Sequence, residues 1–106
     1  MQRSILLAES GKWKIKILYH LLDKPKRFGE LRQLLPNITQ QTLTSQLRSL
    51  EQDKVIHREI YKQIPPKVEY SMTDFGKSLT PVLNVLIEWG KENASTIEHL
   101  RKIDLQ

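Results

Sequence analysis

The chain has 106 residues, with 17 Lys and Arg against 12 Asp and Glu, a net charge of +5 and a pI near 9.6. That length fits a single domain able to bury ~60% or more of its unfolded surface, and the absence of cysteine excludes disulfides, thiolate metal sites and thiol redox switching within these residues. The longest apolar runs, such as 5–8 and 85–87, fall far short of the ~20 residues that span a bilayer, and no signal-like apolar segment opens the chain, so the expectation is a soluble, cytoplasmic protein with no membrane partner.

The positive charge is unevenly placed. Residues 1–35 carry eight Lys and Arg against three Asp and Glu, residues 36–67 five against three, and residues 68–106 four against six. The basic excess in the first two thirds suits a polyanionic partner, because Lys and Arg release counterions from phosphates.

In chain order, a first helical pattern covers about 12–22, with Trp13, Ile17, Leu18, Leu21 and Leu22 on the buried side and Lys12, Lys14 and Lys16 outside. Trp13, at helical spacing from Ile17, reads as core rather than as a ligand-stacking residue. Pro25 ends this helix, and Lys26, Arg27 and Phe28 suit a short strand. A second helix follows through Glu30, Leu31, Leu34 and Leu35 and is stopped by Pro36.

A third helix begins at Thr39, a suitable N-cap, and runs to about Asp53. Its apolar residues Leu43, Leu47 and Leu50 fall at i, i+4 and i+7, leaving Gln40, Gln41, Thr42, Thr44, Ser45, Gln46 and Arg48 to the other faces. A solvated helix face ordinarily carries Glu and Lys. Gln, Thr, Ser and Arg instead hydrogen-bond base edges and phosphates, so this pattern reads as a recognition helix, the second helix of a helix-turn-helix.

From 55 to 64 the period changes to two. Ile56, Ile60 and Ile64 fall on one side, and His57, Glu59, Tyr61 and Gln63 on the other. Pro65 and Pro66 force a turn, and 67–72 reads as the returning strand, with Val68, Tyr70 and Met72 alternating against Lys67, Glu69 and Ser71. A hairpin after a helix-turn-helix is a wing. Thr73 can cap a last helix carrying Leu79, Val82, Leu83, Leu86, Ile87 and Trp89, with Pro81 either kinking it or lying near its first turns. This helix, with Ile5, Leu6 and Leu7, is more apolar than a small monomer leaves exposed, which favours a dimer, the alternative being that these helices simply cover the core.

The candidate DNA-binding residues are Thr39, Gln40, Gln41, Thr42, Thr44, Ser45 and Arg48 on the third helix; Lys26 and Arg27 before the second helix; and Tyr61, Lys62, Gln63 and Lys67 around the wing tip. Gln pairs bidentately with adenine and Arg with guanine, the alternative for Arg48, late in the helix, being a phosphate, while Lys62 and Lys67 suit phosphate positioning. The plainer alternative for the helix is a solvated face, and for Lys26 and Arg27 a solvated turn. His20, His57 and His99 have no metal-ligand spacing, and Glu59 and Glu69, set to face one another across the hairpin, lack a nucleophile or cleft. No catalytic residue, metal or cofactor is expected.

These residues also carry a family resemblance. Gly11-Lys12-Trp13-Lys14, Arg27-Phe28-Gly29-Glu30-Leu31, Leu43-Thr44-Ser45-Gln46-Leu47-Arg48-Ser49-Leu50-Glu51, Pro65-Pro66-Lys67-Val68-Glu69-Tyr70 and Thr73-Asp74-Phe75-Gly76 closely resemble the HxlR-type winged helix-turn-helix transcriptional regulators of bacteria, over about residues 11–90. The resemblance implies a homodimeric DNA-binding regulator with the recognition helix in the major groove, the wing beside it and terminal helices forming the dimer interface. Many members carry a sensing cysteine in the N-terminal region. This chain has none, and no residue cluster marks an effector site.

The expectation is therefore a mainly α (α+β) fold: one winged helix-turn-helix domain over 1–106, with the helix-turn-helix at about 29–53, a β-hairpin wing of two or three strands at about 55–72, and terminal dimerisation helices at about 1–10 and 74–103. The expected function is sequence-specific transcriptional regulation on double-stranded DNA, by steric repression at an inverted repeat. The rival is a winged-helix protein-interaction module that does not bind DNA.

Overall fold

The computed structural model describes the backbone of residues 9–105 and the side chains of residues 11–100. The expected helix at 1–10, with Ile5, Leu6 and Leu7, falls almost wholly outside them. The elements are α1 (Glu9–His20), α2 (Phe28–Leu34), α3 (Gln40–Gln52), β1 (Ile56–Tyr61), β2 (Lys67–Met72), α4 (Asp74–Lys77), α5 (Thr80–Glu92) and α6 (Ala94–Leu105).

One core holds the first three helices and the base of the hairpin together. Ile17, Leu18 and Leu21 from the α1 region, Leu31 and Leu35 around α2, Leu43, Leu47 and Leu50 from α3, and Ile56, Met72 and Leu83 are all buried. Trp13 packs only at the margin of this cluster, half-buried, with the ammonium groups of Lys12 and Lys16 at 5.4 and 5.3 Å from its ring centroid. An indole tolerates that edge because its ring face attracts cations.

The caps explain why α3 starts and stops where it does. Thr39 is extended and its hydroxyl accepts from the Thr42 N–H at 3.0 Å, satisfying one orphan donor of the first turn. Ile38 and Leu43 occupy the staple positions on either side of that cap, and both are buried. Before them Asn37 turns the chain with φ 74°, a left-handed conformation that Asn tolerates better than most residues.

At the other end, Lys54 has φ 63°, its N–H donates to Glu51 O at 3.0 Å and the Val55 N–H donates to Leu50 O at 3.0 Å. This is a Schellman closure with Lys where Gly is usual, backed by the buried pair Leu50 and Val55.

The hairpin is antiparallel, with Ile56 opposite Met72 at its base and Tyr61 opposite Lys67 near its tip. Lys26 adds a third, one-residue strand: its N–H donates to Tyr70 O at 2.9 Å and the Tyr70 N–H donates back at 2.8 Å. The expected strand at 55–64 is shorter and less buried than its alternation suggests. Pairing ends at Tyr61, Ile60 is 52% exposed and Ile64 fully exposed, because the helices cover only the root of the hairpin. The Ile64–Pro65 bond at the tip is cis.

The expected single helix at 74–103 is three helices. Thr73 caps only the short α4, accepting from the Gly76 N–H at 2.9 Å. Pro81 lies in the first turn of α5, where its missing N–H costs no helical bond, so it starts a helix instead of kinking one. Asn93 separates α5 from α6, its side-chain amide donating to Trp89 O at 2.9 Å.

The Val55 carbonyl ties the hairpin root to these C-terminal elements. It accepts from the Thr73 N–H at 3.1 Å, and the Thr73 hydroxyl lies 2.6 Å from Lys54 O and 3.1 Å from Val55 O. Gly76 passes so close that a Cβ there would stand 2.1 Å from Val55 O, which is why this position takes no side chain.

Candidate nucleic-acid interface

With Leu43, Leu47 and Leu50 fixed in the core, the opposite side of α3 is presented outward as one surface formed by Gln40, Gln41, Thr44, Ser45, Arg48, Ser49 and Gln52. Its groups are side-chain amides, hydroxyls and one guanidinium, all able to hydrogen-bond base edges or phosphates without a carboxylate to repel them. Ser49 and Gln52 also belong to this surface, beyond the residues singled out from the sequence. Their signal was present: they continue it by one helical turn, four residues beyond Ser45 and Arg48.

Thr39 and Thr42 are engaged with each other. The Thr39 hydroxyl accepts from the Thr42 backbone and lies 2.9 Å from the Thr42 hydroxyl, so both side chains build the helix cap at the edge of the surface.

Lys26 does not fit the expectation of a phosphate contact. Its side chain is 9% exposed, and its ammonium donates to His20 O at 2.8 Å and to Asp23 Oδ1 at 2.9 Å. The ammonium closes the α1–α2 loop, because a buried cation must be paired where it sits. The bond from Lys26 holds the Asp23 carboxyl below the usual carboxylate range, while burial, helped by Lys26, pushes His20 below the ordinary histidine value. Arg27 is exposed at the start of α2, and its backbone N–H donates to the Glu30 carboxylate at 2.7 Å, one half of a capping box.

At the wing, Lys62 and Gln63 are exposed at the tip beside Ile64. Tyr61 and Lys67 are directly opposed, with the Lys67 ammonium 5.0 Å from the Tyr61 ring centroid and 3.4 Å from Glu69 Oε2. Lys67 is thus partly committed within the hairpin, unlike the expected free phosphate ligand. Desolvation and the Glu69 carboxylate push the Tyr61 phenol up, leaving it a neutral donor.

Glu59 and Glu69 do face each other across the hairpin, a repulsive arrangement relieved by His57, whose Nε2 lies 2.8 Å from Glu59 Oε1, and by Lys67. Among the described residues no group of three or more His, Cys, Asp or Glu is placed to hold a metal, and no helix is long and apolar enough to cross a membrane.

Comparison with known proteins agrees with this geometry. The family profile described as HxlR-like helix-turn-helix matches residues 9–98. The HTH-type transcriptional regulator YdeP of Bacillus subtilis is 58% identical over 90 residues, covering 85% of this chain and 70% of YdeP. YybR of the same organism, also an HTH-type transcriptional regulator, is 52% identical over 91 residues, covering 86% and 73%. Among solved structures, the redox regulator HypR in its reduced form superimposes with a TM-score of 0.77 at 52% identity, covering 84% of this chain and 88% of HypR. The core, the polar outer face of α3 and the hairpin are therefore those of a DNA-binding transcriptional regulator and not of an enzyme, and the chain belongs to the HxlR-like helix-turn-helix family.

Proposed function

We propose that this protein acts as a homodimer whose two α3 helices enter successive major grooves of an inverted-repeat operator in the cytoplasm, repressing by occlusion. The observation that carries this reading is the outward face of α3, which combines hydrogen-bonding groups with a core-locked opposite side. A rigid helix with such a face reads bases at little ordering cost. Arg27, Lys62 and Gln63 lie outside that face and serve to position the DNA backbone.

What supports the dimer is the surface of α5. Val82, Val85, Leu86 and Trp89 are exposed on it, and Phe75 just before it is exposed as well. A second copy of the same surface is self-complementary to such a patch. Two-fold pairing sets the half-site centres about one helical turn, ~34 Å, apart.

The test is fluorescence anisotropy on duplex from the protein's own upstream region and on a scrambled duplex, across a salt series. The expected result is an affinity ratio of ~10³ or more with a steep salt slope. No binding to either duplex at low salt would favour the protein-interaction alternative.

A further inference from the structure

Thr44, Arg48 and Glu51 succeed one another at i, i+4 and i+7 along α3, a stripe on the side of the helix next to the hairpin. With Leu47, Arg58 and Tyr70 they line a narrow crevice between α3 and the two strands. Arg58 lies on β1 directly opposite Tyr70 on β2, and its Nε is 3.5 Å from Glu51 Oε1. By strand alternation Arg58 occupies the same side as Ile56 and Ile60, so a charge stands where the pattern calls for an apolar side chain. That misplacement is the sequence signal for it.

Stability does not account for this arginine. The Arg58 and Glu51 side chains are 42% and 38% exposed, and an ion pair so open to water contributes little to folding. Arg48 is exposed at the lip of the same crevice. Both guanidinium groups act on the Tyr70 phenol, which burial nevertheless keeps above its ordinary value, so a neutral hydroxyl donor lies beside two cations.

We propose that Arg48 and Arg58 together form a seat for one DNA backbone phosphate at the junction of α3 and the wing, with Glu51 holding Arg58 in place until the phosphate displaces its carboxylate. This rests on the DNA-binding reading above. A phosphodiester offers the oxygens that a guanidinium fork takes from a carboxylate, so the exchange leaves Arg58 paired throughout. A phosphate held here touches recognition helix and wing at once, which sets the angle at which α3 lies in the groove.

The experiment uses the full chain on its upstream duplex and on a random duplex of about two turns, ~20 base pairs, over a salt series. Arg58→Ala is expected to weaken binding to both duplexes alike, roughly five- to tenfold, and to lower the salt slope by about one. Arg58→Lys should keep the slope and lose only part of the affinity. Glu51→Gln should tighten binding to both duplexes, opposite in sign to any damage to the fold.

If thermal melts show Arg58→Ala unfolded at the assay temperature, the Arg58→Lys and Glu51→Gln results decide. An unchanged slope in Arg58→Ala, or a Glu51→Gln variant that binds more weakly than wild type, would overturn the seat while leaving the regulator reading intact. A wild-type protein that binds neither duplex would overturn both.

Discussion

Helices α3 and α5 each have 13 residues and an amphipathic pattern, yet they end in opposite situations. In α3 every leucine is buried and the exposed side is polar. In α5 only Leu83 is buried, while Val85 is 67% exposed and Trp89 55%. Among the described residues the apolar side of α3 is covered; that of α5 is not. The contrast separates two kinds of surface: a polar face held rigid from behind suits a hydrated, charged ligand, and an apolar face without intramolecular cover suits another protein surface.

The sharpest test of that contrast is a matched pair of truncations. Leu47→Ala should destabilise the domain by ~3 kcal/mol, as expected for a large buried side chain, whereas Leu86→Ala should cost under ~1 kcal/mol in the isolated monomer, both read from urea unfolding. If Leu86→Ala proved as costly as Leu47→Ala in dilute monomer, α5 would be an intrachain core helix and the contrast would collapse.

Next in size, Val85→Asp should leave the fold intact but weaken self-association ~100-fold, since each two-fold interface contains the changed residue twice. Sedimentation velocity at micromolar concentration should then show monomer where wild type sediments as a dimer. A wild-type monomer at that concentration would refute the assignment of the α5 face.

A smaller effect is expected at the boundary of α3. Thr39→Ala removes the hydroxyl that caps the Thr42 N–H and should lower stability by ~1 kcal/mol. Thr39→Asn should restore most of it, in thermal melts. Restoration of stability without restoration of DNA affinity would show that the Thr39 hydroxyl also meets the ligand.

The smallest expected effect lies away from both faces. His20 has a folded-state pKa below the ordinary value of 6.5, so the unfolded chain binds more protons in that window. Its contribution is complete above about pH 6.5 and is lost as the pH falls through that value toward the depressed folded-state value. Urea midpoints at about pH 7.5 and about pH 5.5 should differ less in His20→Asn than in wild type. An unchanged difference would place the acid sensitivity elsewhere.

The features of α3 were legible because they are local. Its period, the Thr39 cap and the breaks at Pro36 and Pro65 depend on residues a few positions apart. What required the folded chain was what depends on distant neighbours. Alternation places Ile60 with Ile56 on one side of a strand, but whether that side meets a helix is a tertiary matter, and at Ile60 it does not. Lys26 looked like a surface cation because its partners, the His20 carbonyl and Asp23, are assembled only by the loop. Lys54 gave no hint of a left-handed helix stop, since the usual marker there is Gly. The DNA contacts proposed for α3 rest on side-chain chemistry, and the surface that would carry them includes Ser49 and Gln52 because helical geometry extends it.

The Val55 carbonyl, gripped by Thr73 and overlain by Gly76, has a consequence for how this protein can be altered. Both roots of the hairpin converge on that oxygen, while residues 62–66 at the far end are exposed. Residues inserted between 62 and 66 lengthen the wing without disturbing its base, whereas a single insertion at 54–55 or 73–76 displaces the whole hairpin. Wing reach is therefore an adjustable ruler mounted on a fixed hinge pin, and engineered variants of different reach can be built by changing the tip alone.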